Sequence, residues 1–267
     1  MIRRRLHLNH PRDLNEKIQW LKFHADMNDW ARLADKYAVR DYVKEKGLDK
    51  ILPRLYGRYE CGEDLLNDWD KLPMSFVIKT NNGCGTNMIV KDKTLCATTG
   101  LAKTLNGWLG VQYGNIPIEF HYNLIKPCLV VEELLVDDTQ EKISGSLIDY
   151  KIWCFNGKPF SILVVFDRDM NHPHHYTLDC YDLEWNKQLG AMTDHKPKRI
   201  LPKPDNLDLM LKYAGILSED HPQMRVDMYN IGGKIYFGEL TMSSMGGFMN
   251  YYTPEYLLEM GNQITLS

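Results

Sequence analysis

Apolar residues follow two rhythms along this chain. Leu14, Ile18, Leu21 and Ala25 recur at helical spacing, which predicts a helix over 14–25. A second helix is predicted from about Ala31 to Lys46, stopped by Gly47. The period then shortens to two. "MSFVIKT" and "NMIVKDK" are read as a hairpin, Leu101 to Tyr113 as a helix, and "PCLVVEELL" (Pro127 to Leu135) as a short buried strand. "SLIDYKIWCFNGKPFSILVVFDR" reads as two strands joined at Asn156-Gly157, the strongest short hairpin signal in the chain. "YTLDCYDL" is read as another strand, and Trp185 to Pro204, polar and proline-containing, as a loop. An amphipathic helix is expected over Asp205 to Ser218 with Asp205 as its N-cap. "QMRVDMYNIGGKIYFGELT" gives a second clear hairpin, and Pro254 to Gln263 a last helix. Strands thus come in hairpins rather than in repeated strand-helix-strand units. The expected class is α+β with antiparallel sheets.

Composition adds exclusions. The chain has 267 residues, 44% hydrophobic and 25% charged, with a net charge of −3, so no global basic field draws it to nucleic acid. No apolar run approaches the length of a membrane span. Met1 to Leu8 ("MIRRRLHL") is basic without the apolar core of an export signal and is read as a solvated arm. The six cysteines form no Cys-x-x-Cys pair and match neither a zinc site nor a disulfide framework; free thiols in the cytoplasm are expected.

Five features are candidates for chemistry. "FVIKTNNGCGTNMIV" ends a strand at Lys79 and breaks into a glycine loop whose N–H groups could turn toward a phosphate, although taken alone a long surface hairpin with an incidental lysine is the favoured reading. In "RVDMYNIGGKIYFGELT", Arg225, Asp227 and Tyr229 share a strand face. A two-residue turn would send Glu239 to the other side, whereas a three-residue or bulged turn at Gly232–Lys234, the expectation adopted, sets Asp227 opposite Glu239. Two carboxylates so close call for a cation, and oxygen ligands suit Mg²⁺; equally, one acid faces solvent or Arg225 simply pairs with them. "LVVEELL" is an apolar strand ending in Glu132-Glu133, fit either for a hinge beside an adenine or for a strand end meeting water. Asp149, Lys151 and Trp153 share a face, which points Lys151 into a cleft or to solvent. "NHPHHY" (His172, His174, His175) is read as a polar loop, since no Cys or acidic partner stands at suitable spacing.

Taken in order, "NEKIQWLK", "ADKYAVRDYV", "FVIKTNNGCG", "VVEELL", "DYKIWCFNGKP", "RVDMY" and "GKIYFGELT" resemble the TupA-like family of the ATP-grasp superfamily, from about Asn15 to the C-terminus. The resemblance implies an ATP-grasp fold whose two lobes clasp ATP and Mg²⁺. It implies a short helical segment over 1–30, then an ATP-grasp domain over 31–267 with a lid lobe over about 70–132 and a metal-binding lobe over about 133–267. Lys36 and Lys79 would contact ATP. Asn82, Gly83, Cys84, Gly85 and Thr86 would cover the phosphates. Glu132, Glu133, Leu134 and Leu135 would line the adenine, with Glu132 accepting from its amine. Asp227 and Glu239 would hold Mg²⁺, with Thr241 where many superfamily members have Asn. Arg225 would steady the transferred phosphoryl group, and Lys151 a phosphate or the acceptor. Asp137 and Asp138 lie near the place of the ribose-binding acid.

The same resemblance implies a carboxylate–amine ligase that forms an acyl phosphate from ATP. By the family's setting, it would join a uronic-acid carboxylate to an amino-acid or other amine in bacterial polysaccharide assembly, with possible polysaccharide-assembly partners. A glycan kinase using the same cleft, and a glycosyltransferase or nucleotide-sugar-binding protein, are the competing readings.

Overall fold

The computed structural model describes residues 6–115, 118–137, 143–169, 172, 175–194 and 200–266. Asp138, His174 and the first residues of the basic arm, noted above, lie outside the described residues. In chain order the elements are α1 (Leu14–His24), α2 (Met27–Ala34), α3 (Val39–Glu45), β1 (Leu55–Tyr59), α4 (Gly62–Asn67), β2 (Phe76–Thr80), β3 (Asn87–Val90), α5 (Leu101–Leu109), β4 (Leu129–Glu132), β5 (Asp149–Phe155), β6 (Lys158–Phe166), β7 (Thr177–Tyr181), α6 (Leu207–Ser218), β8 (Met224–Ile231), β9 (Lys234–Thr241) and α7 (Pro254–Asn262).

The chain divides into two compact units, residues 26–135 and residues 1–25 with 136–267. This division differs from the expected one. Residues 1–30 are not a segment of their own: α1 packs into the larger unit, and residues 26–69 belong to the smaller one. The expected single helix over 31–46 is also two. Asp35 is extended and its carboxylate accepts from the N–H groups of Tyr37 and Ala38, which ends α2 and restarts the chain as α3. Gly47, at φ 71°, does stop α3.

The smaller unit is a four-stranded antiparallel sheet in the order β1-β4-β2-β3. Phe76 and Ile78 of β2 and Leu129 and Val131 of β4 point into a core with Leu65, Leu101 and Leu105. Alternation therefore sends Lys79 and Glu132 to the opposite face.

A five-stranded antiparallel sheet, β7-β6-β5-β8-β9, makes the larger unit. α6 packs on β5, β6 and β8. Its N-cap is Asn206 rather than the expected Asp205, and the Asn206 amide instead donates to the Gly233 carbonyl. On the other face, Leu14 and Ile18 of α1 and Leu257 and Met260 of α7 pack on Trp153, Phe155 and Leu163. Asp13 caps α1 by accepting from the Glu16 N–H, and Glu16 reaches back to the N–H groups of His7 and Arg12.

The β8–β9 hairpin turns in two residues, Gly232 at φ 56° and Gly233 at φ 82°, with Ile231 opposite Lys234. The expected extra residue at the turn is absent. It sits instead at Gly238: Met228 pairs with Phe237 and Asp227 with Glu239, leaving Gly238 as a β-bulge. The two acids face each other as required, by a different route. A Cβ on Gly238 would stand 2.9 Å from the Asp227 carbonyl oxygen. We therefore predict that Gly238→Ala lowers stability by about 1–3 kcal/mol, read from urea denaturation; wild-type stability would show that the bulge has slack.

Candidate functional site

In the larger unit, β5, β8 and β9 bring ionised groups to one sheet face. Asp227, buried, lies opposite both Lys151 and Glu239. Arg225 grips it with two bonds, Nε to Oδ1 at 2.7 Å and Nη2 to Oδ2 at 2.8 Å, and also donates to Glu239 Oε1 (3.1 Å), Thr241 Oγ1 (3.0 Å) and Ser244 Oγ (2.6 Å). The Lys151 ammonium bonds Asp227 Oδ2. Asp149 lies 3.9 Å from it and takes a 3.0 Å bond from Arg168. Three carboxylates thus meet three cations. Burial pushes Asp227's carboxyl up, against the pull of Arg225 and Lys151. Burial also weighs against the charged forms of Lys151 and Arg225, yet the neighbouring acids hold both above their ordinary values. Tyr229 is raised well above normal, first by the charge of Asp149 and then by burial.

In the smaller unit Lys79, on β2, pairs with Glu132, on β4. The other Glu132 oxygen takes a 3.0 Å bond from Arg40. Both carboxylate oxygens thus already meet cations, so Glu132 is first of all the group that orients Lys79. Glu133 is tied to the backbone of Arg54 in both directions. The loop after β2 is shaped at its base. Asn81 bonds Asp35, the Lys126 carbonyl and the Cys128 N–H. Thr80 donates to the Asn82 carbonyl and bonds Thr86. Lys36 donates to the Gly83 carbonyl at 2.5 Å, so it holds the loop. Gly83, at φ 70°, has the Tyr113 ring where a Cβ would stand, and the exposed Cys84 lies with its Sγ 2.9 Å from the Tyr113 hydroxyl.

Comparison with known proteins gives this geometry a family. A model of the TupA-like ATPgrasp family matches residues 16–265. The chain belongs to the TupA-like ATP-grasp family. Comparison with curated proteins returned no match. Among solved structures, D-alanine–D-alanine ligase from Helicobacter pylori is 13% identical with a TM-score of 0.50, covering 94% of this chain and 69% of that one. L-amino acid ligase from Bacillus licheniformis is 14% identical with a TM-score of 0.50, covering 86% and 48%. Bacillus anthracis D-alanine–D-alanine ligase complexed with ATP is 17% identical with a TM-score of 0.45, covering 79% and 54%. At these identities the likeness is one of fold, and the chain spans about half the length of the last two. The fold is the ATP-grasp fold.

Each unit of this TupA-like chain carries one set of the expected residues: Lys36, Lys79, the 82–86 loop and Glu132–Leu135 in one, Lys151, Arg225, Asp227, Glu239 and Thr241 in the other. Residues not foreseen complete each set. Arg40 left no signal, because its partner Glu132 is 92 positions away. Asp149 was visible only as a face-mate of Lys151, and Arg168 not at all. The polar stripe Asn15, Gln19 and Lys22 of α1, not singled out in the sequence, is buried throughout. Asn15 exchanges two bonds with the Met249 backbone, and Gln19 and Lys22 both donate to the Gly246 carbonyl (2.7 and 2.5 Å). They hold the segment after β9, where Met245, Gly246 and Gly247 all have positive φ and Ser244 meets Arg225.

A buried ion pair is costly to break and cheap to replace whole. Arg225→Met should lower stability by about 3–5 kcal/mol, because Asp227 stays buried with one cation fewer. Arg225→Met with Asp227→Leu should recover much of that loss in thermal or urea melts. A double variant as unstable as the single one would contradict it.

Proposed function

We propose that the chain is an ATP-dependent carboxylate–amine ligase that activates a carboxylate as an acyl phosphate. The observation that carries this reading is the placement of Asp227 opposite Glu239, with Arg225 bonded to both, in a chain of the ATP-grasp family. The donors of Asp227, Glu239 and Thr241 are all oxygen, the set that fits Mg²⁺. When bound, Mg²⁺ would screen the charge of the ATP phosphates. Lys151 bonds Asp227 and has Asp149 beside it as a second partner, so the ammonium would keep a counter-ion if Asp227 held a metal.

The residues divide the work as follows. Lys79, oriented by Glu132, and the 82–86 loop held by Lys36 offer an ammonium and backbone N–H groups to phosphate. Glu133 to Leu135 supply backbone for the adenine edge. Arg225 offsets the charge that would otherwise repel an incoming carboxylate. Phosphorylation turns that carboxylate, whose own leaving group would be oxide, into an acyl phosphate; an amine then bonds the carbonyl carbon and inorganic phosphate leaves. In the finer reading, the carboxylate belongs to a uronic acid and the amine to an amino acid or amino sugar, in bacterial polysaccharide assembly in the cytoplasm.

ADP release from Mg·ATP with pools of uronic acids and amines tests it. Activity should need both pools, hydroxylamine should trap the acyl phosphate, and Lys79→Ala and Asp227→Asn should each cut turnover by at least about a hundredfold. Full activity in both variants would place the site elsewhere. An ADP-forming reaction with no trappable intermediate would point to a hydroxyl acceptor.

A further inference from the structure

The connection from β6 to β7 carries a cluster that the ATP reading does not use. In sequence, the histidines after Asp169 lack an acidic partner at familiar spacing. The folded loop corrects that reading by placing Asp169 with His172 and His175, their ligand atoms all within 4.8 Å of one another. Asp169 Oδ2 is 2.8 Å from His172 Nδ1. The two imidazole rings stack at 5.2 Å with 23° between their planes. Backbone bonds fix the spacing from below: the Asp169 N–H donates to the His175 carbonyl (2.9 Å) and the His175 N–H to the His172 carbonyl (2.7 Å).

We propose that Asp169, His172 and His175 bind a divalent transition-metal ion of the zinc class. Ligand atoms on a tetrahedral zinc lie about 3.3 Å apart, given metal–ligand bonds of about 2.0–2.1 Å. The Asp169–His172 pair is near that separation already, and the third ligand needs a side-chain rotation of an ångström or so. All three groups are solvent-accessible, so an ion can enter and keep water in its remaining position, as in three-ligand sites. Two imidazoles with one carboxylate favour zinc, cobalt or nickel over Mg²⁺, which separates this site chemically from the all-oxygen set at Asp227. Arg168, the residue before Asp169, donates to Asp149. A bound ion would therefore anchor the loop from which a cation reaches the charged cluster. The proposal stands on the loop alone and does not depend on ligase activity.

The test is metal binding to the full chain after chelation and dialysis. Calorimetry with Zn²⁺ should give one ion per chain, not displaced by excess Mg²⁺. Co²⁺ should give visible bands of low coordination number without the sulfur charge-transfer band of a thiolate. His172→Ala with His175→Ala should weaken binding more than about a hundredfold, and Asp169→Asn about tenfold. His172 and His175 are exposed and Asp169 is half-buried, so the histidine double variant should keep the wild-type melting profile in the presence of chelator. No Zn²⁺ binding, equal binding by wild type and the double variant, no effect of Asp169→Asn, or a thiolate band would each overturn the site.

Discussion

The buried pair of Arg225 and Asp227 is the interaction on which the larger unit's charged face depends. Asp227 sits in the middle of a sheet, where an isolated carboxylate could not stay ionised. Arg225 meets it in a two-pronged geometry that a lysine cannot supply, and its remaining N–H groups gather Glu239, Thr241 and Ser244. Because β8 contributes both partners two residues apart, the pair needs no long-range accident. The neighbouring strands need only the right register, and the Gly238 bulge supplies it.

The smaller unit repeats the device. Glu132 is a strand carboxylate whose two oxygens meet Lys79 and Arg40. In both units an acid holds two cations; in the smaller unit they lie on the sheet face away from the core, and in the larger one on the face that also carries Trp153 and Leu163 beneath α1 and α7. Under the proposed reading, these cations exchange protein carboxylates for phosphate oxygens when ATP binds. Charge is then compensated before and during turnover, and little reorganisation is required of the sheets.

The strands from β2 onward and their hairpins were legible because period-two alternation and the turns at Asn156-Gly157 and Gly232-Gly233 are local signals, whereas β1 (Leu55–Tyr59) was not foreseen. The facing of Asp227 and Glu239 beside Arg225 was legible too, through alternation along the two strands. Most of what escaped was non-local. The bulge at Gly238 looks like any glycine in a strand until its partner strand is known. The break between α2 and α3 depends on a single Asp35 side chain turning back on its own backbone. Arg40 and the polar stripe of α1 were invisible because hydrophilic residues on a helix read as wet unless the segment that covers them is known.

That stripe has a consequence for how the chain reaches its fold. Asn15 bonds Met249 across 234 positions, so the larger unit is assembled from segments on either side of the smaller unit. Residues 26–135 are contiguous and rely on pairings of much shorter range. On the ribosome they can collapse as soon as they emerge, whereas α1 must wait, its apolar and polar stripes uncovered, until Gly246 and Met249 have been made. Helix α1 is made before the smaller unit yet finds its place only after that unit has been made.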